Sequence, residues 1–142
     1  MKPARPPDLD PIDALVQLSF LVQSLLGRLA APRELSLVQV RLLGVLRDRT
    51  PGMLELATLL GLDKSSVTGL VDRAERRGLV KRSLGQEDRR AVFVSLTPAG
   101  RSLAAAFTKE VAREIETLLA SLPITARERL TAIANQIIAA AA

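Results

Sequence analysis

The chain has no cysteine, no histidine, no tryptophan and no tyrosine, and only three phenylalanines in 142 residues. Without cysteine there is no disulfide framework, no thiolate metal site and no thiol redox switch. Without histidine the usual general base and the commonest metal ligand are missing. The acidic residues are scattered or stand beside arginines, and nothing resembles a nucleophile with its base. An enzyme is therefore not expected, nor is a metal or a cofactor. With so few aromatics, the core has to be built from Leu, Val, Ile and Ala.

Long apolar runs are also lacking. No uninterrupted stretch of about 18 apolar residues is present, so no membrane-spanning helix is expected. The first eleven residues, "MKPARPPDLDP", carry four prolines and no apolar segment. They read as a flexible Pro-rich tail over 1–11, neither signal peptide nor anchor. The expected setting is cytoplasmic. Apolar residues make up 48% and charged residues 25%, the balance of a soluble globular chain, and one domain over 12–142 accounts for the length.

What is present is a local excess of positive charge. The net charge is +5; residues 1–62 contribute +1, residues 63–90 contribute +3 and residues 91–142 contribute +1. A basic excess concentrated in 28 residues points to an anionic partner.

Periodicity divides the chain into helices and one hairpin. Ile12, Leu15, Leu18, Val22, Leu25, Leu26 and Leu29 recur at helical steps over 12–30, ending near Pro32. Ser36 followed by Gln39 predicts a capping box at the start of a second helix. "TPG" at 50–52 breaks the chain, and "MLELATLLGL" predicts a short helix closed by Gly61. Asp63 can cap the next helix at once, which is the sequence form of a helix-turn-helix. That helix runs to about Arg77 and stops at Gly78. At about 100° per residue, Val67, Leu70, Val71 and Ala74 share one side. Ser65, Gly69, Asp72 and Arg76 lie opposite, with Thr68 and Arg73 on the flanks.

"LVKRSL" and "AVFVSL" are strand-prone, and the polar "GQEDRR" between them predicts a two-stranded hairpin with a basic tip. Thr97 and Pro98 predict the start of a long helix, and Thr125 with Glu128 predicts a second capping box before a last helix with Leu130, Ile133, Ala134, Ile137 and Ile138 on one stripe. The expected fold is mainly α: a winged helix-turn-helix at 36–97 with a two-stranded wing, flanked by dimerisation helices at 12–30 and 98–142.

A helix fits the DNA major groove and meets base edges with its N-terminal residues. Lys64, Ser65, Ser66, Thr68 and Gly69 are small or polar there, so the helix can approach closely. Arg73, Arg76 and Arg77, further along, can reach flanking phosphates. Asp72 on the same face would repel phosphate unless it pairs with Arg76 at i,i+4 or accepts from a cytosine amino group. At the hairpin tip, Arg89 and Arg90 suit a phosphate or minor-groove partner, with Asp88 orienting one of them. The terminal helices carry more apolar surface than one small winged domain can cover, which indicates a dimer interface.

The stretch "LELATLLGLDKSSVTGLVDRAERRGLVKRSLGQEDRRAVFVSLTPAGR" resembles the MarR family of bacterial transcriptional regulators. The resemblance runs from Leu54 to Arg101, through "LGLDKS.VT.LVDR.E..GLV.R" and a "D.R...V.LT..G" wing. It implies a homodimeric repressor or activator that binds double-stranded DNA at an inverted-repeat operator; the expectation is a repressor released by a small aromatic or phenolic ligand, with activation left open. The recognition helix would be Lys64–Arg77. In the wing, Arg90 would enter the minor groove and Arg89 would contact phosphate. Asp63 would cap the recognition helix and steady the wing arginine. The family places such ligands between the dimer helices and the winged domain, but no motif here fixes a ligand site. Gly69 stands where many relatives carry Arg, and Ala74 where Leu is usual. The competing expectation is a winged helix serving as an architectural or protein-interaction module with little sequence preference, which the Ser/Thr-rich first turn disfavours and Gly69 and Asp72 leave open.

Overall fold

In the computed structural model, which describes residues 8–142, the chain begins its first helix at the last residue of the expected tail. Asp10 accepts a hydrogen bond from the Asp13 amide at 2.8 Å, and Pro11 fills the first helical position where its missing N–H costs nothing. This helix, α1, spans Pro11–Ala30. The tail expected at 1–11 is thus shortened at its inner end, and its first seven residues lie outside the described residues.

A single 3₁₀ turn, Ala31–Arg33, follows, and Glu34 adopts a left-handed conformation with φ 53°. Both bonds of the Ser36–Gln39 capping box form and open α2, Leu37–Leu46. Helix α3, Met53–Leu60, closes on Gly61 at φ 64°. Asp63 then caps α4, Lys64–Arg76, which ends through Arg77 at Gly78, φ 72°. Strands β1, Val80–Leu84, and β2, Val92–Leu96, pair antiparallel with Val80 opposite Leu96 and Leu84 opposite Val92. Helix α5, Pro98–Leu119, starts on Thr97, whose hydroxyl accepts from the Gly100 amide and donates to the Gly78 carbonyl. Helix α6, Ile124–Ala141, completes the chain. The expected winged helix-turn-helix is the architecture observed.

Three local expectations are corrected. The Thr125–Glu128 capping box does not form: Pro123 is the N-cap, so Thr125 already lies inside the helix and no side chain caps it. The wing has a third, minimal edge. Gly52 bridges Phe93, and the Val94 amide donates to the Pro51 carbonyl at 3.0 Å, which ties the turn before α3 to β2. Finally, the segment Pro11–Arg33 is long and apolar enough to cross a membrane by length and composition, with a mean hydropathy of 1.4 over its best window. Its last turns are committed elsewhere: Leu25 and Ala30 are buried, and the helix packs on α5 and α2. Polar Asp13, Gln17, Gln23 and Ser24 interrupt the rest.

The core joins the winged unit to α5. Leu42 from α2, Leu56 and Leu60 from α3, Leu70 and Val71 from α4, and Val94 from β2 are all at most 1% exposed. Ala104 and Phe107 of α5 close one side. Each such Leu or Val contributes about 1.5–3 kcal/mol by leaving water. The tightest junction is between α5 and the residue before β1. A Cβ on Gly100 would lie 1.9 Å from the Leu79 carbonyl oxygen and 2.8 Å from its carbon. Both neighbours are backbone, so neither can swing aside. Gly100→Ala is therefore expected to lower stability by about 3 kcal/mol or more through forced displacement of α5. Urea denaturation checks it, and an unchanged midpoint would show that α5 and Leu79 are not held in this contact.

Candidate nucleic-acid interface

Helix α4 buries one face completely. Val67, Leu70, Val71 and Ala74 are between 0% and 3% exposed, as their spacing predicts. The rotation that buries these four turns Lys64, Ser65, Ser66, Thr68 and Arg76 outward. Gly69, half-buried, lies on that outward side with no side chain of its own.

The first turn is organised by Asp63. One carboxylate oxygen, Oδ1, accepts from the Ser66 amide at 2.7 Å and from the Ser65 hydroxyl at 2.8 Å. The Ser66 amide, then the Ser65 hydroxyl, hold its carboxyl below the ordinary aspartate value of 3.8. Thr68 donates its hydroxyl to the Lys64 carbonyl at 2.9 Å. The protons of Ser65 and Thr68 are thus spent within the helix, and their oxygen lone pairs face outward as acceptors. No hydrogen bond or ion pair between Asp63 and the wing arginines occurs among the described residues, so the expected steadying of the wing by Asp63 is not observed.

The arginines divide into two sets. Arg73 and Arg76 are exposed. The Arg73 guanidinium lies back over Gly69, with Nη1 3.2 Å from where a Cβ would sit, so glycine leaves space for it along the outward face. Arg77 points the other way. It donates to the Arg33 and Glu34 carbonyls at 2.8 and 2.9 Å, which sets its direction apart from Arg73 and Arg76, with which the sequence grouped it.

Asp72 does not pair with Arg76, whose Nε lies 3.5 Å from the Asp72 backbone carbonyl. Its carboxylate binds Arg82 of β1 at 2.6 Å, and the same guanidinium binds Glu75 at 2.9 Å. Glu75 also accepts from the Arg82 amide at 3.2 Å. One strand arginine therefore neutralises both acids of α4 and fastens the wing alongside the helix. Arg82 and Glu75 were not among the expected site residues. The signal for them was two acids, three residues apart, on an otherwise basic helix.

At the wing tip the Asp88 carboxylate accepts from the Arg90 amide at 2.9 Å, so it shapes the turn rather than aiming a guanidinium. Arg89 and Arg90 are exposed. Arg90 shares a cavity of about 560 Å³ with Lys64 and Thr68, floored by Met53, Val67, Val92 and Phe93. The wing tip and the first turns of α4 thus line one concave surface, basic at its rim.

The Asp63 cap has a pH signature. Its lowered carboxyl means that the folded state favours the charged form, so the contribution is full above 3.8 and fades as the pH falls through the lowered value. Asn can cap a helix without a charge. The thermal midpoint of the wild type should exceed that of Asp63→Asn at pH 7, and the two should converge below pH 3.8. A gap that persists undiminished into acid would show that the carboxylate charge contributes nothing.

The MarR family model matches residues 35–92. A comparison with curated proteins finds no match. Among solved structures, CouR, a transcriptional repressor bound to a 23-mer DNA duplex, is 29% identical, with a TM-score of 0.77 over 88% of this chain and 89% of that one. A MarR-family transcriptional regulator from Rhodococcus sp. RHA1 is 25% identical, with a TM-score of 0.76 over 87% and 89%. NadR in complex with 4-hydroxyphenylacetate shares the fold at a TM-score of 0.80 and 23% identity, over 98% and 97%. The helix order, the hairpin wing, the capped α4 and these matches agree: residues 35–92 match the MarR family model, and the chain has the winged helix-turn-helix fold of solved MarR-type regulators.

Proposed function

We propose that the protein is a homodimeric, sequence-specific DNA-binding transcriptional regulator that acts in the bacterial cytoplasm and reads an inverted repeat with two copies of α4. The observation that carries this is the outward face of α4. It is small and acceptor-rich where a helix meets base edges, cationic beyond, and continuous with the basic rim of the wing. In this reading Ser65, Thr68 and the space over Gly69 meet the major groove. Lys64, Ser66, Arg73, Arg76 and Arg89 hold phosphates, and Arg90 enters the minor groove. The fold-sharing CouR complex with duplex DNA supports it.

The dimer has separate support. Ile12 and Ile124 are 75% and 72% exposed, and Ile138 is 65% exposed, on helices whose apolar stripes have no cover. Helix α6 has no buried residue at all. Most helical stability in proteins comes from packing of an apolar face, so the exposed stripe of α6 calls for a partner surface. Leu15 and Leu18 of α1 and Ile133 and Ile137 of α6 line one apolar groove of about 540 Å³, a seat for the same helices of a second copy.

For regulation, we propose repression relieved by a small aromatic anion. A cavity of about 190 Å³ lies between α1, α2 and α5, with Leu26, Leu43, Phe107 and Val111 on its walls and Arg47 at its edge. An apolar pocket with one cation suits an aromatic carboxylate, and NadR, of the same fold, holds 4-hydroxyphenylacetate.

Selection of preferred sites from a random duplex pool, near about 0.15 M salt, tests the reading. An enriched inverted repeat with half-sites about 34–36 Å apart is expected. On that site Arg90→Ala should weaken binding by about tenfold or more, while Arg76→Ala should weaken all sequences alike and reduce the salt slope by about 1. Aromatic carboxylates should dissociate the complex. Tight binding without enrichment would replace this reading with an architectural one. Independently, Ile133→Asp should convert the dimer to monomer in sedimentation equilibrium; an unchanged mass would place the interface elsewhere.

A further inference from the structure

Arg77 lies at the end of the recognition helix but faces away from its outward surface. Its two terminal nitrogens donate to consecutive carbonyls, Arg33 and Glu34, at 2.8 and 2.9 Å. Those carbonyls belong to the turn between α1 and α2, which the left-handed Glu34 holds in an unusual backbone conformation. The Glu34 and Leu35 amides bond back to the Ala31 and Ala30 carbonyls, so the turn is closed on itself.

The same turn is tied on its other side. The Arg33 guanidinium donates to the Leu29 carbonyl at 3.0 Å and pairs with Glu110 of α5. It also lies 5.7 Å from the centre of the buried Phe107 ring, a cation–π distance. Arg33 and Glu110 are both partly buried, where screening by salt is weak. A continuous polar chain therefore runs from Glu110 on α5, through Arg33 and the α1–α2 turn, to Arg77 at the end of α4.

We infer that Arg77 is a positioning residue rather than a DNA contact. With Arg33 and Glu110 it forms a strap that fixes the recognition helix to the long helices that carry the dimer. This rests on the DNA-binding reading for its consequence, though not for its structure. With both terminal nitrogens turned to backbone carbonyls of the α1–α2 turn, the guanidinium is not aimed along the outward face of α4. What it supplies is orientation: if the end of α4 can shift against α1 and α5, the two reading helices of a dimer lose their fixed separation. Operator recognition then suffers while general attraction to DNA does not.

Arg77→Ala, Arg77→Lys and Glu110→Ala, compared as intact dimers on the selected operator and on random duplex over a salt series, test it. Arg77→Ala is expected to weaken operator binding about tenfold, with random-DNA affinity and the operator salt slope unchanged. Arg77→Lys, which cannot reach both carbonyls in one fork, should fall between. Glu110→Ala removes a negative charge, so simple electrostatics predicts tighter binding to any DNA; the strap predicts weaker binding to the operator alone. Equal losses on operator and random DNA, with a slope smaller by about 0.9, would make Arg77 a phosphate contact and overturn the inference. Unchanged binding by Arg77→Ala would overturn it as well.

Hydrogen exchange without DNA separates the strap from the DNA reading. In Arg77→Ala the amides of Leu35, Gly78 and Leu79 should exchange faster, whereas those of β2 should not. If the wild type shows no sequence preference, faster exchange at those three sites upholds the strap and discards the function, and unchanged exchange discards the strap.

Discussion

Everything on the outward side of α4 depends on the burial of four residues behind it. Val67, Leu70, Val71 and Ala74 occupy the core at helical spacing, and α3, β1 and the rest of the winged unit close over them. This fixes the rotation of the helix about its axis to within a fraction of a residue, because a turn of about 100° would exchange an apolar side chain for a charged one. Whatever the other face carries is then presented to solvent by necessity. The small side chains at 64–69 and the cations beyond them are a surface because Val67 and Leu70 are a core.

Charge on that surface is less simple than its count. Residues 63–90 hold an excess of +3, yet two of the arginines there are engaged by acceptors of the protein itself. Arg82 is shared by Asp72 and Glu75, and Arg77 is spent on carbonyls. Neither pairing needs to add much stability by itself, since partly exposed ion pairs are usually worth about 1 kcal/mol or less. Their effect is on placement. Arg82 removes the repulsion that Asp72 would otherwise offer to phosphate and holds β1 beside the helix. The cations left outward are then Lys64, Arg73 and Arg76 on one helix, Lys81 on β1, and Arg89 and Arg90 at the hairpin tip.

The parts of this arrangement that were legible in the sequence are the ones decided within a turn or two of chain. Ser36 with Gln39, Gly61, Asp63, Gly78 and Thr97 with Pro98 mark helix ends because a cap needs only its neighbours, and each is found in its expected role. The buried face of α4 follows from spacing alone. Thr125 and Glu128 failed as a cap although their pattern is the same, because the helix starts two residues earlier, with Pro123 as its N-cap. The partners of Asp72 and Arg77 could not be read off. One lies ten residues away across a helix–strand packing and the other more than forty away in a turn, and periodicity carries no information about either. The Gly52–Phe93 bridge was hidden for the same reason. In α1 the composition was legible but its meaning was not, since an apolar helix with little cover suits a partner chain as well as a membrane.

That uncovered surface bears on how precisely the reading face must be held. A single α4 can meet only a few base pairs, and in the proposed dimer its contribution counts only when the second copy lands one helical turn away, about 34–36 Å along the duplex. A small tilt of either helix at that distance displaces its first turn from the base edges, and a misplaced polar contact is worse than none because both groups lose water without gaining each other. The helix is accordingly restrained at three places. Asp63 ends it at one side, Arg82 fixes its flank to the wing, and Arg77 joins its far end to a turn that Arg33 and Glu110 bind to α5. Of these, only the last reaches the helices whose apolar stripes would form the dimer. In the proposed dimer the separation of the two copies of α4 would therefore be set through the α1–α2 turn as much as through the hydrophobic core, and the wall of the cavity beside Phe107 belongs to the same α5 face that holds that turn. A ligand that altered the packing around Phe107 would act on the strap directly, without needing to touch the DNA-facing surface.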